Sequence, residues 1–126
     1  MKLARVLLIG SAIIFVAVGA AFLLIPKQYA EVIEISLPTA MARTDVRATY
    51  GGLELGFGIF LILCVVRREW TRGGTWALLL ATGGFATGRL FGLLFERTLH
   101  PLMLVFLLIE LVVTSLGVLA LQRSEG

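Results

Sequence analysis

Four apolar runs, each about as long as a helix that crosses a lipid bilayer, constrain this chain more than any other feature. Of its 126 residues, 59% are hydrophobic and 15% are charged, which is far more apolar than a soluble domain of that length. The pattern predicts an all-α fold, a four-helix transmembrane bundle that forms a single membrane domain over residues 1–126. The runs occupy about residues 5–25, 45–66, 75–95 and 101–121.

The first run has a second interpretation, a cleaved signal peptide, because Lys2 and Arg5 precede it and small residues lie near its end. The apolar core of such a signal is only about 7–15 residues long. We therefore expect an uncleaved spanning helix that ends at about residue 25, just before Pro26.

The connections between the runs carry their own signals. In the outer loop, about 26–44, apolar and polar residues alternate over 33–37, which is typical of a short strand or an interfacial turn. The second helix is expected to begin between Thr39 and Asp45, since both residue types are good caps. Gly73 and Gly74 are expected to interrupt helical structure at the end of a basic inner turn, 67–74, before the third helix begins.

The distribution of basic residues predicts the orientation. Four spans place both termini on one side, and the side with more Lys and Arg is normally the cytoplasm. We expect both termini inside, with these residues on the cytoplasmic side: Lys2, Arg5, Arg67, Arg68, Arg72 and Arg123.

Several classes of function are disfavoured by what the chain contains. The net charge of +3 comes from residues at the ends of the runs, and no basic recognition helix suggests a nucleic acid partner. Cys64 is the single cysteine, so no disulfide framework or cysteine metal site is expected, and it should be a packing residue. His100 is the single histidine and is expected either to lie at the membrane interface or to cap the fourth helix, with Pro101 as the first residue of that helix. We expect no metal and no cofactor.

Three ionisable residues lie inside the apolar runs. From a rise of about 1.5 Å per residue, Glu54, Arg89 and Glu110 lie about 9, 10 and 14 Å from the predicted outer ends of their helices. A charge at the bilayer centre costs at least about 2.5–3.5 kcal/mol, so we expect the three to meet in the bundle interior.

This triad leaves one surplus negative charge, which either Arg47 balances or one carboxyl removes by keeping its proton. In the first arrangement the residues form a polar clamp, in which Arg47, Tyr50 and Arg89 bind a ligand. The second makes a catalytic pair, Glu54 and Glu110, of a general acid beside a general base. A third interpretation is structural, in which the triad only holds helices in register. Thr114, one turn beyond Glu110, is expected to hydrogen-bond either to Glu110 or to its own helix.

Glycines recur every fourth residue on two helices, at Gly52 and Gly56 and at Gly84, Gly88 and Gly92. Such stripes predict close helix packing. A second interpretation is that Gly88, which is next to Arg89, leaves space for a flat ligand.

The segment RATYGGLELG, with Arg47, Tyr50 and Glu54, resembles the hallmark of a bacterial family of four-helix membrane proteins of unknown function, similar to the DoxX-like proteins. The resemblance extends to Gly88, Arg89 and Glu110. It implies a multi-pass protein of the bacterial inner membrane. Some DoxX-like relatives are associated with quinone-linked redox complexes. This chain has no cysteine pair or cofactor motif that would support the same role.

Three functions follow as hypotheses. The first is a polar pocket that binds, and transforms by acid–base chemistry, a small lipophilic molecule. The second is an accessory or assembly subunit of a membrane complex, with the glycine faces against partner helices. The third is a small proton-coupled carrier, which four helices would form only as a homo-oligomer. In each case membrane lipid is a partner.

Overall fold

The computed structural model describes residues 1–125, and every regular element in this range is helical. The all-α prediction is confirmed for these residues. In chain order the elements are α1, Lys2–Leu24; α2, Pro26–Val32; α3, Ala40–Val46; a π-helix, Arg47–Leu53; α4, Glu54–Val66; a 3₁₀ helix, Arg68–Trp70; α5, Thr71–Glu96; and α6, Pro101–Arg123.

Four stretches of the described chain are long and apolar enough to cross a membrane: Lys2–Leu24, Ala40–Val66, Arg68–Glu96 and Pro101–Arg123. In the most apolar 18-residue window of each, at most 33% of the residues are buried. Apolar surface of this extent requires lipid around it. The chain is therefore a multi-pass membrane protein, while the inward orientation of its termini stays a prediction.

The contacts separate the chain into two compact units. One holds residues 1–8 together with the chain from Cys64 onward, and the other is Ile9–Leu63. The first unit contains α5 and α6. The second contains most of α1, all of α2, α3 and the π-helix, and nearly all of α4.

In the unit Ile9–Leu63, glycines let α1 and the π-helix–α4 stretch approach at backbone distance. A Cβ on Gly19 would lie 2.5 Å from the amide nitrogen of Leu55 and 2.8 Å from the carbonyl oxygen of Gly51. A Cβ on Gly58 would lie 2.9 Å from the amide nitrogen of Val16. These distances leave no room for a side chain, so the contact requires glycine.

The glycines that make this contact differ from those expected. A Cβ on Gly56 would meet nothing within 4 Å, and one on Gly52 would meet only the carbonyl oxygen of Arg47. The face toward α1 is formed instead by Gly51, Leu55 and Gly58, which follow the helical spacing of four and three residues. Close packing at Gly52 and Gly56 stays a prediction, because a repeat of four does not specify which side of the helix a neighbour occupies.

The connection between α1 and α3 is more ordered than a loop. Pro26 is the first residue of α2, and the fixed φ angle of proline suits a first helical position. Residues 33 and 34 form a turn and 35–38 are irregular, so the turn is observed and the strand is not. Thr39 caps α3 by accepting a hydrogen bond from the amide of Ala42 at 3.1 Å, as the cap prediction required.

In the other unit, the expected break at Gly73 and Gly74 was wrong. The helix α5 begins at Thr71 and runs through both glycines. A Cβ on Gly74 would lie 2.7 Å from Sγ of Cys64, while one on Gly73 would meet nothing within 4 Å. Gly74 thus admits the buried Cys64, which packs as predicted. Thr71 completes this corner by donating its hydroxyl to the Cys64 carbonyl at 2.9 Å.

The start of α6 is as the sequence predicts. Pro101 is its first residue, and His100 caps it by accepting a hydrogen bond at Nδ1 from the amide of Leu102 at 3.2 Å.

Candidate functional site

The candidate site lies on α5 and α6, which pack antiparallel. Three contacts mark the register: Arg72 with Ser124, Leu79 with Gly117, and Thr82 with Thr114. A Cβ on Gly117 would lie 3.0 Å from Cβ of Leu79, so the two helices are in close contact there. The register brings Arg89 opposite the first half of α6, in reach of Glu110.

Arg89 and Glu110 form an ion pair within this hairpin. Nε of Arg89 donates to Oε1 of Glu110 at 2.7 Å, and 27% of the Arg89 side chain and 11% of the Glu110 side chain are exposed. The short distance and the burial are typical of a charge-assisted hydrogen bond in a poorly solvated site. The two formal charges neutralise each other, which lowers the cost of placing them in an apolar span.

Two further residues of α6 hold the guanidinium group of Arg89 in place. Nη1 lies 3.4 Å from Sδ of Met103, to which it donates a weak hydrogen bond. The guanidinium carbon lies 5.0 Å from the ring centroid of Phe106, a cation–π distance. The group is therefore fixed on three sides by residues of one helix.

The second carboxylate oxygen of Glu110 sets this pair apart from an ordinary ion pair. Oε2 is buried and has no hydrogen-bond partner among the described residues. A buried acceptor without a donor costs about 1–3 kcal/mol, so most such atoms in proteins are paired. The site therefore contains one buried hydrogen-bond acceptor to which no described residue donates.

Thr114 does not hydrogen-bond to Glu110. Its hydroxyl lies 2.8 Å from the hydroxyl of Thr82 on α5, and Thr82 also donates to the carbonyl of Leu78 in its own helix at 2.9 Å. The expected alternatives for Thr114 were both wrong, because its partner lies on the neighbouring helix.

Arg47 and Tyr50 lie in the unit Ile9–Leu63, in the π-helix. Nε of Arg47 donates to the carbonyl oxygen of Leu23 at 3.0 Å, and the Tyr50 ring stacks on Phe22 with centroids 5.2 Å apart. Both contacts tie the π-helix to the end of α1. A π-helix is rare and often occurs at functional sites, and no residue type in this segment would have indicated it from sequence.

Glu54 begins α4 immediately after the π-helix and is half-buried. It lies three residues after Gly51 and four before Gly58, at the edge of the face toward α1. Its meeting with Arg89 and Glu110 stays a prediction.

The glycine stripe of α5 is not used in the hairpin. A Cβ on Gly84, Gly88 or Gly92 would meet nothing within 4 Å in the described chain, whereas one on Gly83 would lie 3.7 Å from Thr114. Within residues 1–125, no group of three or more His, Cys, Asp and Glu residues is placed to hold a metal ion.

Sequence reasoning missed a cavity of about 410 Å³ in the connection between α1 and α3. The available signal was the concentration of charges of both signs in the longest polar connection. The cavity is lined by Lys27, Glu31, Glu34, Ile35, Ser36, Leu37, Pro38 and Arg43.

Comparison with known proteins gives a family and no activity. No curated protein and no solved structure matches the chain. A family model described as a domain of unknown function, DUF4345, matches residues 3–121, which is nearly the whole sequence. The similarity to DoxX-like proteins stays a prediction. On the extent of this match, the chain belongs to the DUF4345 family of unknown function.

Proposed function

We propose that this membrane protein binds a small lipophilic molecule that carries a polar group, through Arg89 and Glu110. The observation that supports this is the buried Oε2 of Glu110, which has no hydrogen-bond partner among the described residues while Oε1 holds Arg89. A hydroxyl or N–H group of the ligand would donate to Oε2. The apolar remainder of the ligand would lie against Met103, Phe106 and lipid.

The energetic reason is the low polarity of the surroundings. A donor brought to Oε2 relieves an unsatisfied acceptor, which costs about 1–3 kcal/mol when it is left alone. The ion pair also fixes the orientation of the carboxylate before the ligand arrives, so little ordering remains to oppose binding.

The same proposal gives roles to the other predicted residues. Glu110 would exchange a proton with the bound molecule, with Glu54 as the second proton-handling carboxyl, and Arg89 would stabilise developing negative charge. Arg47 and Tyr50 would lie along the entrance. The protein would act in the bacterial inner membrane, with both termini in the cytoplasm. Isomerisation and epoxide opening are two reactions that such a pair would support.

The test is native mass spectrometry of the protein extracted gently from its own membranes. The wild type should retain a small molecule of defined mass, and the double variant Arg89→Met with Glu110→Met should lose it while staying folded. Replacing both members of a buried ion pair by apolar residues of similar size is often neutral for stability. Thr114→Val is the matched control, because it alters the same helix contact without touching the pair, and it should keep the molecule.

An empty wild-type protein, or a double variant that retains the molecule, would contradict the proposal. Glu110→Gln leaves a single acceptor oxygen for the donors of Arg89 and of the ligand, so it should weaken retention of the molecule. A variant that binds the molecule but no longer alters it would identify an enzyme.

A second candidate function, an accessory subunit of a membrane complex, is favoured by one observation. Gly84, Gly88 and Gly92 offer a face on which a Cβ would meet nothing within 4 Å in the described chain, and such faces suit close contact with another helix. In a Cys64→Ala background, Gly88→Cys should crosslink to a stoichiometric partner in native membranes. Gly83→Cys, whose position faces Thr114, is the control and should not. The small proton-coupled carrier would appear in the same experiment as a crosslinked homo-oligomer.

A further inference from the structure

The cavity between α1 and α3 lies at one membrane boundary. Its lining residues fall between Leu24, where the first span ends, and the first turns of the span Ala40–Val66. A connection between two consecutive spans is at the level of lipid head groups. The cavity volume of about 410 Å³ is within the range of sites for small molecules.

The lining carries charges of both signs. Lys27 and Arg43 are basic, and Glu31 and Glu34 are acidic. The Arg43 guanidinium is positioned by donating from Nη1 to the carbonyl of Leu37 at 3.3 Å. A ligand of one sign would meet like charge on part of this wall, whereas a ligand with both signs would be complementary to it.

Glu34, which lines the cavity, has an unusual backbone conformation. Glu34 has φ of 61°, the left-handed region that glycine adopts at least cost. It ends α2 in a Schellman motif, in which the Glu34 amide donates to the Glu31 carbonyl at 3.0 Å and the Ile35 amide to the Ala30 carbonyl at 2.9 Å. Glycine is the usual residue at this position, and the chain places a carboxylate there, at the cavity. A strained residue at a site is a reason to examine that site for function.

Apolar surface lies beside and beneath the charged lining. Leu37 lines the cavity and belongs to a buried cluster with Phe22, Ala30 and Val46. Leu24 is 77% exposed and precedes the lining segment in sequence, and Met41 is 84% exposed and lies within it, two residues before Arg43. An amphiphile with its head in the cavity would cover such residues with its chains.

We propose that this cavity binds the zwitterionic phosphate–ammonium head of an amphiphile, with Lys27 and Arg43 on the phosphate and Glu31 and Glu34 on the ammonium group. The phosphate would receive charge-assisted hydrogen bonds from the two basic side chains. The ammonium group would donate to the carboxylates. This site is separate from the Arg89–Glu110 pair and does not depend on the function proposed for it.

The test uses the full chain in nanodiscs that contain equal amounts of phosphatidylethanolamine and phosphatidylglycerol. Both lipids carry a phosphate, and only the first carries an ammonium group. Native mass spectrometry should show phosphatidylethanolamine retained at least about fivefold over phosphatidylglycerol, which corresponds to about 1 kcal/mol. Equal retention, or a preference for phosphatidylglycerol, would overturn the proposal.

Two variants of Glu34 separate binding from folding. Glu34→Gln removes the charge, while the residue must still adopt a positive φ. Glu34→Gly removes the charge and also relieves the cost of the positive φ. Both should lose the preference for phosphatidylethanolamine, while Glu34→Gly should also raise the Tm. Glu69→Gln, an exposed carboxylate outside the cavity, is the control and should change neither quantity. Retention of the preference in Glu34→Gln would contradict the assignment.

A soluble competitor identifies the source of the head group. Added glycerophosphoethanolamine that displaces the lipid would show that the head group binds without acyl chains, so that a free zwitterion is also a ligand of the cavity. Failure to displace it, with the preference intact, would show that the acyl chains are required and that the ligand is a lipid.

Discussion

Arg47 in the π-helix donates from Nε to the carbonyl oxygen of Leu23 at 3.0 Å, across 24 residues of sequence. Leu23 is the second-last residue of α1, and the last four carbonyls of a helix have no partner in their own helix. Pro26 lies three residues after Leu23 and has no N–H with which to close the last turn on the Leu23 carbonyl. A guanidinium group is also favoured at the negative end of the helix dipole. Arg47 therefore serves as a C-terminal cap for α1.

This cap predicts a loss of stability when Arg47 is replaced. Arg47→Met keeps the apolar stem and removes the donor and the charge, so it should lower the free energy of unfolding by about 1 kcal/mol. Denaturant unfolding in detergent micelles measures this. Arg68→Met, an exposed basic residue in the 3₁₀ helix, is the control and should change little. Equal effects of the two variants would mean that the Leu23 contact contributes nothing.

The close contact of α1 with the stretch formed by the π-helix and α4 predicts opposite outcomes for two glycines of α1. Gly19→Ala would place its Cβ 2.5 Å from the Leu55 amide nitrogen, and because backbone cannot move aside cheaply it should destabilise the fold by about 1–3 kcal/mol or more. Gly10→Ala would meet nothing within 4 Å and should be neutral or stabilising, since alanine is the better helix former. Thermal unfolding of both variants in the same detergent gives the comparison. A tolerated Gly19→Ala would argue against the contact.

Sequence reasoning predicted the parts of the fold that depend on local chemistry. The apolar runs locate the spans, Thr39 marks the start of α3, and His100 with Pro101 marks the start of α6. Arg89 and Glu110, which the helical rise places at similar depth, are in contact. These features follow from residue types and from the geometry of a regular helix.

The features that sequence did not reveal depend on neighbours. The π-helix lies where α1 approaches at Gly19, and a widened turn of this kind has no composition signal. The left-handed backbone at Glu34 is missed because glycine, and not glutamate, is the expected signal for it. Gly73 and Gly74 were read as a break since glycine weakens isolated helices, yet Gly74 is needed to accommodate Cys64. In each case tertiary contact overrides local preference.

The course of α5 through the glycine pair makes a prediction of its own. Gly73→Ala lies in a helix with open space around its Cβ, so it should stabilise the protein by about 0.5–1 kcal/mol. Gly74→Ala should destabilise it, because the new Cβ would lie 2.6 Å from Cβ of Cys64. Chemical denaturation of the two variants measures both changes. If Gly73→Ala were the more damaging of the two, a break at 73 and 74 would be the better description.

The hydroxyl pair of Thr82 and Thr114 predicts a measurable coupling between α5 and α6. A double-mutant cycle with Thr82→Val and Thr114→Val should give a coupling of about 0.6 kcal/mol, the average for such bonds between membrane helices. Thr87 is the control, since its hydroxyl donates to the carbonyl of Gly83 in its own helix at 2.8 Å. A cycle of Thr87→Val with Thr114→Val should show no coupling. Equal coupling in both cycles would exclude a specific Thr82–Thr114 bond.

The orientation of the spans gives a prediction that cysteine labelling can decide. Cys64 is the single cysteine and is buried, so Cys64→Ala gives a background for single cysteines at exposed positions. With both termini inside, Gln28→Cys between the first and second spans should react with a membrane-impermeant maleimide on intact cells. Glu69→Cys and Gln122→Cys should react only after permeabilisation, because one span separates Gln28 from Glu69 and three separate it from Gln122. An odd number of crossings places a residue on the opposite side of the membrane. The reverse pattern would show an inverted protein, and labelling of all three on intact cells would contradict the four spans themselves.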